Sequence, residues 1–115
     1  MTKRVYKIAR KAEWDEAQET GIFTGSTDDK RDRFIHLSSA AQVRTTCDVY
    51  FSGENNLLLV AIDADRLGPA LKWEVSRRGE KFPHLYAALP LADVHSVLPI
   101  RRGMDGRPMF PPEIP

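Results

Sequence analysis

The sequence contains very little cysteine and no long hydrophobic run. Cys47 is the only cysteine, so no intramolecular disulfide can form and a thiolate metal site lacks ligands. The longest apolar run, LLLVAI at 57–62, is too short to span a bilayer, and the basic N-terminal stretch has no apolar segment of signal-peptide length. We therefore expect a cytoplasmic protein in which Cys47 is a buried apolar residue.

The chain also lacks an excess of charge of either sign. Lys and Arg number 17 and Asp and Glu 16, a net charge of +1, which does not support RNA or a membrane surface as a partner. Any recognition of phosphate must therefore be local. The 42% hydrophobic content is typical of a single soluble domain. We expect one domain over residues 1–115, with a core at about 5–100 and a Pro-rich tail at about 101–115.

Several sequence motifs that indicate nucleotide binding or nucleophilic catalysis are absent. The sequence has no phosphate loop of the G-x-x-x-x-G-K type, no dinucleotide fingerprint G-x-G-x-x-G and no G-x-S-x-G nucleophile turn. Its three histidines, His36, His84 and His95, match no metal-binding spacing. We expect no metal, and a nucleotide would have to be bound by other means.

The elements that the sequence does indicate are short strands and two helices. The first helix lies in KAEWDEAQETG and ends at Gly21. The second is predicted over about 40–52, where Ser39 and Gln42 form an S-x-x-Q capping box, and residues 22–30 between the helices are predicted to be a surface loop. Strands are predicted in VYKIA (5–9), RFIHL (33–37), LLLVAID (57–63), KWEVSR (72–77), FPHLYAAL (82–89) and LADVHSVLPI (91–100). This order indicates an α+β fold.

One group of polar residues lies where a strand meets the predicted second helix. His36, Ser38 and Ser39 adjoin a helix start, whose unpaired N–H groups and partial positive charge favour a phosphate. The alternative is structural: Ser39 only caps the helix, and His36 only bonds a backbone carbonyl.

A second group lies in KWEVSRRGEKFPHLY, residues 72–86. Trp73 and Tyr86 could stack on a ligand, Glu74 supplies a carboxylate and His84 a base or donor. Trp73 is more typical of a core residue than of a stacking platform. Arg77 and Arg78 could bind phosphate, but beside Gly79 they are more typical of a solvated turn.

Several segments in one order resemble a known family. YKI, FIHLS, LLLVAIDADRL, KWE and FPHLYA resemble the bacterial DUF952 family over about residues 5–98. That family is similar to the ADP-ribosyltransferase superfamily, and most similar to the RNA 2′-phosphotransferases, which use NAD. The resemblance implies two small, bent sheets around a cleft. It places His36 on a catalytic-site histidine and Arg33 on the arginine before it, with Glu74 and His84 in the region of late motif residues. No His or Arg stands at the first-strand ribose position, Tyr6-Lys7.

Two functions follow as expectations. The first is an enzyme of NAD- or nucleotide-dependent ADP-ribosyl or 2′-phosphate transfer, with His36, Glu74 and His84 as catalytic residues. The second is a non-catalytic module that binds a small nucleotide or another phosphorylated ligand. Ligand-binding residues are expected to be Arg33, Ser38, Ser39, Trp73 and Tyr86. We also predict that His36 and His84 open onto one cleft, lined by Arg33, His36, Ser38, Glu74, His84 and Tyr86.

Overall fold

Three antiparallel sheets, of five, three and two strands, and three short α-helices form the single α+β domain. The computed structural model describes residues 3–111 and 114. The helices are α1 (Lys11–Thr20), α2 (Thr27–Asp32) and α3 (Val43–Tyr50). The strands are β1 (Arg4–Arg10), β2 (Ile22–Phe23), β3 (Ile35–His36), β4 (Ser38–Ser39), β5 (Leu57–Asp63), β6 (Leu71–Val75), β7 (Lys81–Leu85), β8 (Leu89–Pro90), β9 (Val94–Arg102) and β10 (Pro108–Met109). No helix of the described part of the chain is long and apolar enough to cross a membrane.

The larger sheet has the strand order β10-β9-β5-β1-β4. β5 lies inside it and is buried on both faces, as its continuous apolar run predicts. β4 pairs with β1 only at Val5 and Tyr6. The edge of β1 from Lys7 to Arg10 therefore has no strand beside it within the described residues.

A smaller sheet, in the order β3-β7-β6, faces this open edge. His36 of β3 pairs directly with His84 of β7, and β4 begins two residues later in the larger sheet. Between them, the Leu37 N–H donates to the Pro83 carbonyl at 3.1 Å. The segment from His36 to Ser38 thus carries the chain from one sheet to the other.

Alternate residues of β1 point into two separate cores, as expected for a strand. Val5 and Ala9 pack with Trp14 of α1 and with apolar residues of β7 and β8. Tyr6 and Ile8 pack against α3 on the opposite face, together with Leu59 and Ile100; the second core also contains Ile114. Cys47 is buried there, as expected, and burial raises the pKa of its thiol.

The predicted helices need two corrections. The segment predicted as a loop at 22–30 contains β2 and the start of α2, so the described residues form three α-helices rather than two. Ser26 caps α2 in a reciprocal capping box with Asp29. The helix predicted from residue 40 begins at Val43, and Ser39 does not cap it: Ser39 lies in β4, where its N–H donates to Oε1 of Gln42 at 3.0 Å. The Ser39–Gln42 pair, which the sequence pattern indicated as a helix cap, instead closes a turn that precedes α3.

Candidate functional site

A cleft of about 250 Å³ lies where the two sheets meet. The open edge of β1 forms one wall, and α2, α3 and the hairpin between β6 and β7 form the others. The cleft is lined by these charged and hydroxyl-bearing residues: Tyr6, Lys7, Arg10, Ser26, Asp28, Asp29, Arg31, Asp32, His36, Ser38, Thr46, Tyr50, Ser76 and Arg77.

Asp29 organises one end of the cleft. Its carboxylate is 1% exposed; Oδ1 accepts the backbone N–H of His36 at 3.0 Å and lies 2.6 Å from its Nδ1. Oδ2 accepts the backbone N–H of Ser26 at 2.9 Å. Burial alone raises the pKa of Asp29, but the hydrogen bond from His36 and the charge of Lys7 outweigh it and hold the pKa well below its usual range. Asp29 is therefore an anion at neutral pH, and its oxygens accept hydrogen bonds from Lys7, Ser26 and His36.

Lys7 is the counter-ion of this buried carboxylate. Its ammonium lies 3.0 Å from Oδ1 and 2.9 Å from Oδ2 of Asp29, and the lysine side chain is 5% exposed. Pairing offsets the large cost of burying either charge alone. Lys7, Ser26, Asp29 and His36, called here the Asp29 network, thus connect β1, α2 and β3.

Hydroxyl groups and a guanidinium form a second polar group in the cleft. Ser38 Oγ lies 2.9 Å from Thr46 Oγ1, and Arg77 Nη2 donates to the same Thr46 oxygen at 3.4 Å. The guanidinium of Arg77 lies over the rings of Phe82 at 4.8 Å and Tyr50 at 5.6 Å. The interpretation of Arg77 as a solvated turn residue is corrected, because the side chain is half-buried and lines the cleft, while Arg78 is exposed.

Glu74, His84 and Tyr86 form a separate cluster, called here the Glu74 cluster. Glu74 Oε1 accepts the Tyr86 hydroxyl at 2.6 Å and lies 2.8 Å from His84 Nδ1. The bonds from Tyr86 and then His84 lower the pKa of Glu74, and the same carboxylate raises the pKa of Tyr86. Phe34 stacks on the His84 ring with centroids 4.0 Å apart and is 4.5 Å from the His36 ring.

His36 and His84 lie on one face of the smaller sheet, but the prediction that both open onto one cleft is wrong. They are cross-strand partners, and their ring centroids are 6.0 Å apart. Only His36 lines the cleft, because His84 is buried beneath Phe34.

Of the residues predicted to form the site, only two line the cleft. His36 and Ser38 line it, whereas Arg33, Ser39, Trp73, Glu74, His84 and Tyr86 do not. Arg33 is the exposed C-cap of α2 with φ 68°, so its backbone position serves the end of the helix. Trp73 packs against the first core, with the Lys3 ammonium 4.1 Å above its ring.

Sequence reasoning did not assign Lys7, Asp29 or Thr46 to a site, and it favoured a solvated turn for Arg77. The S-x-x-D pattern of Ser26 and Asp29 was a usable signal, because Asp at that position can complete a cap. Nothing local in the sequence indicates that Lys7 is buried, since its partner is 22 residues away.

The cleft contains three carboxylates, those of Asp28, Asp29 and Asp32, and also groups that can donate to an anion. It offers N–H donors from Arg77 and His36 and hydroxyls from Ser38 and Thr46. Within residues 3–111 and 114, no three His, Cys, Asp or Glu side chains are grouped so that they could hold a metal ion.

The fold and site define a small α+β domain with a polar cleft at the junction of two antiparallel sheets. The chain belongs to the family described as "Protein of unknown function (DUF952)", which matches residues 8–97. This confirms the family resemblance of the sequence.

Two solved structures of one bacterial protein are similar to this chain in both sequence and fold. The crystal structure of protein CC0527 from Caulobacter crescentus is 44% identical, with a TM-score of 0.88 over 92% of this chain and 93% of that chain. The solution NMR structure of CC0527 is 45% identical, with a TM-score of 0.82 over 91% of this chain and 90% of that one. A search of curated proteins found no significant match. The wider likeness to ADP-ribosyltransferases stays a prediction.

Proposed function

We propose that the cleft binds a small phosphorylated ligand, with its phosphate on Arg77, Ser38 and Thr46. The observation that carries this proposal is that the Arg77 guanidinium lines the cleft without being paired to a carboxylate among the described residues. Of the three arginines that line the cleft, Arg10 is paired with Glu54 and Arg31 with Asp32, whereas Arg77 has no carboxylate partner among the described residues. A guanidinium left available at a cleft wall is suited to a phosphate, which it can bind through two N–H groups.

The surroundings of Arg77 support the same assignment. The rings of Phe82 and Tyr50 hold the guanidinium plane by cation–π contact, so less conformational freedom is lost when a ligand binds. Arg77 donates to the Thr46 hydroxyl, which itself donates to the Gln42 carbonyl at 3.1 Å and lies 2.9 Å from Ser38 Oγ. Of the two hydroxyls, that of Ser38 is therefore the one that can turn towards a phosphate oxygen.

The size of the cleft limits the ligand. Its volume of about 250 Å³ is just below the usual range for small-molecule pockets, about 300–1,000 Å³. This favours a phosphomonoester or the phosphate end of a mononucleotide over a whole dinucleotide. Binding without catalysis is therefore our first candidate function.

NAD- or nucleotide-dependent ADP-ribosyl or 2′-phosphate transfer is the second candidate. The Glu74 cluster favours it, because a half-exposed carboxylate beside Tyr86 and Phe34 has the parts needed to contact a ribose and a nicotinamide ring. Two features weigh against it. The cluster lies outside the cleft, and Lys7, at the ribose position of the first strand, is already paired with Asp29.

An NMR titration tests both candidates. We would add inorganic phosphate, adenosine monophosphate, ADP-ribose, NAD and a 2′-phosphorylated oligoribonucleotide to the labelled protein in separate series. The first candidate predicts that phosphate and the monophosphate shift the backbone signals of His36, Ser38, Thr46 and Arg77. The second predicts that NAD or ADP-ribose also shifts Glu74 and Tyr86. Absence of any shift at millimolar ligand would contradict both.

Arg77→Lys and Arg78→Lys are a matched pair for the same titration. Each keeps the net charge, and the two positions are adjacent in one turn. Arg77→Lys should weaken phosphate binding by about tenfold, because an ammonium cannot bind two oxygens in one plane or stack between rings. Arg78→Lys should leave it unchanged. Equal effects of the two variants would mean that only the general charge of the hairpin matters.

A further inference from the structure

The His36 ring lies between two carboxylates at the edge of the cleft. Nδ1 is 2.6 Å from Asp29 Oδ1, and Nε2 is 2.9 Å from Asp32 Oδ2. All three residues line the cleft. The Nδ1 contact holds the ring in place, and the group at Nε2 decides whether this second nitrogen is available to a ligand.

The two carboxylates differ in how firmly they are held. Asp29 is buried and bonded to Lys7, Ser26 and His36. Asp32 is 34% exposed and has a second partner in Arg31, whose Nε and Nη2 donate to its two oxygens at 2.9 and 3.2 Å. Asp32 can therefore leave His36 while it keeps its solvation and its bonds to Arg31, whereas Asp29 cannot leave.

We propose that Asp32 occupies the position at His36 Nε2 which an oxygen of the ligand's phosphate takes on binding. The inference rests on the proposed function and adds to it a ligand-binding role for His36 and a competing role for Asp32. The ligand class is a phosphomonoester, whose phosphate reaches Arg77, Ser38 and His36 Nε2 together. His36 and Ser38 are two residues apart on the segment that connects the two sheets, and both line the cleft, so the proposal places one anion in contact with both.

Asp28 provides a matched control for Asp32. It lies on the same helix, lines the same cleft and pairs with the same Arg31 at 3.4 Å, yet the structure gives it no contact with His36. Asp32→Ala and Asp28→Ala therefore remove the same charge from the same wall. Only the first variant removes the group that competes for His36 Nε2.

The experiment measures the affinity of wild type and both variants for inorganic phosphate and for glycerol phosphate, by calorimetry and by NMR of the histidine ring nitrogens. Asp32→Ala should bind phosphate about fivefold more tightly than wild type, because a carboxylate that repels and competes with the phosphate is removed. The affinity of Asp28→Ala for phosphate should stay within about twofold of the wild-type value, because a charge that does not contact His36 is screened by solvent and salt. In wild type and Asp32→Ala, phosphate should shift the Nε2 signal of His36. Thermal unfolding of each variant confirms that it is folded.

The other outcomes are distinguishable. If both variants bind phosphate equally more tightly, the effect is one of general charge and the role of Asp32 is overturned, while the proposed function stands. An affinity for phosphate that is unchanged or lower in Asp32→Ala also overturns the proposed role of Asp32. If neither wild type nor Asp32→Ala binds phosphate at millimolar concentration, the proposed function and this inference both fail.

Discussion

Asp29 Oδ1 lies 2.6 Å from Nδ1 of His36, and this contact joins a six-residue helix to the smaller sheet. The same carboxylate binds Lys7 of the larger sheet. α2 is too short to be stable by itself, because isolated helices below about 12–15 residues are marginal in water. Its position over the cleft therefore depends on one buried anion, and the geometry of the cleft depends on α2.

Asp29→Asn should destabilise the protein strongly. The amide keeps the shape of the side chain but leaves the Lys7 ammonium buried without a counter-ion, which typically costs about 3–5 kcal/mol. Urea unfolding of the variant measures this loss. Asp28→Asn, an exposed change on the same helix, should stay within about 0.5 kcal/mol of wild type. Equal stabilities for the two variants would mean that the Lys7–Asp29 pair contributes little.

Acid should remove the contribution of Asp29. Its pKa is lowered by folding, so its stabilisation is fully present above the pKa of the unfolded state, about 3.9, and is lost as the pH falls through the pKa of the folded state. Below about pH 4, wild type should lose up to about 1.4 kcal/mol per pH unit through this group. Asp29→Asn lacks the group, so the gap in unfolding free energy between the two proteins should narrow in acid. A constant gap between about pH 7 and about pH 3 would contradict the assignment.

Replacement by alanine should destabilise the protein at Ser26 but leave its stability nearly unchanged at Ser39. Ser26 Oγ accepts the backbone N–H of Asp29 at 3.3 Å and caps α2, so Ser26→Ala should cost about 1 kcal/mol. Ser39 makes its bond to Gln42 through its backbone N–H, which alanine keeps, so Ser39→Ala should be nearly neutral. Thermal unfolding of both variants decides which serine is the cap. A larger loss for Ser39→Ala would restore it as the capping residue.

The longer strands and α1 were predictable because their signals are local, whereas the two-residue strands β2, β4, β8 and β10 were not predicted. The apolar run of β5 requires burial on both faces, and Gly21 ends α1 in the left-handed conformation with φ 83°. α2 was not predicted, because its six residues TDDKRD contain no apolar residue that could show a period. Only the capping box at Ser26 marked it. Its stability comes from contacts of Asp29 with distant strands, which local propensity does not reveal.

The candidate site was predicted only in part, for a similar reason. His36 and His84 share a face because they are register partners in two neighbouring strands, both of which the sequence pattern indicates. The cleft itself arises because β4 leaves part of β1 uncovered, a feature of sheet topology. Arg77 reaches α3 from a turn 31 residues after Thr46, so its role depends on tertiary packing.

Arg33→Gly should stabilise the protein. Arg33 has φ 68°, a left-handed conformation that costs a non-glycine residue about 1–2 kcal/mol. Glycine adopts it without strain but loses more chain entropy on folding, so we expect a net gain of about 0.5–1 kcal/mol in urea unfolding. Phosphate affinity should not change, because Arg33 does not line the cleft. If the affinity falls while the stability rises, the sequence-based assignment of Arg33 as a ligand-binding residue is correct.

His36→Ala should affect both stability and ligand binding. Two alternatives were open for His36: a ligand residue with no internal partner, or a buried structural residue. The structure gives it both kinds of feature, since the ring is 37% exposed and lines the cleft, yet Nδ1 is bonded to Asp29. Loss of that bond should cost about 1–3 kcal/mol in urea unfolding. His84→Ala is the comparison, because it removes a buried ring bonded to Glu74 and should also destabilise, but His84 does not line the cleft. At a temperature where both variants are folded, only His36→Ala should bind phosphate more weakly than wild type. A His36→Ala protein that melts early but binds phosphate normally would show that His36 has only a structural role.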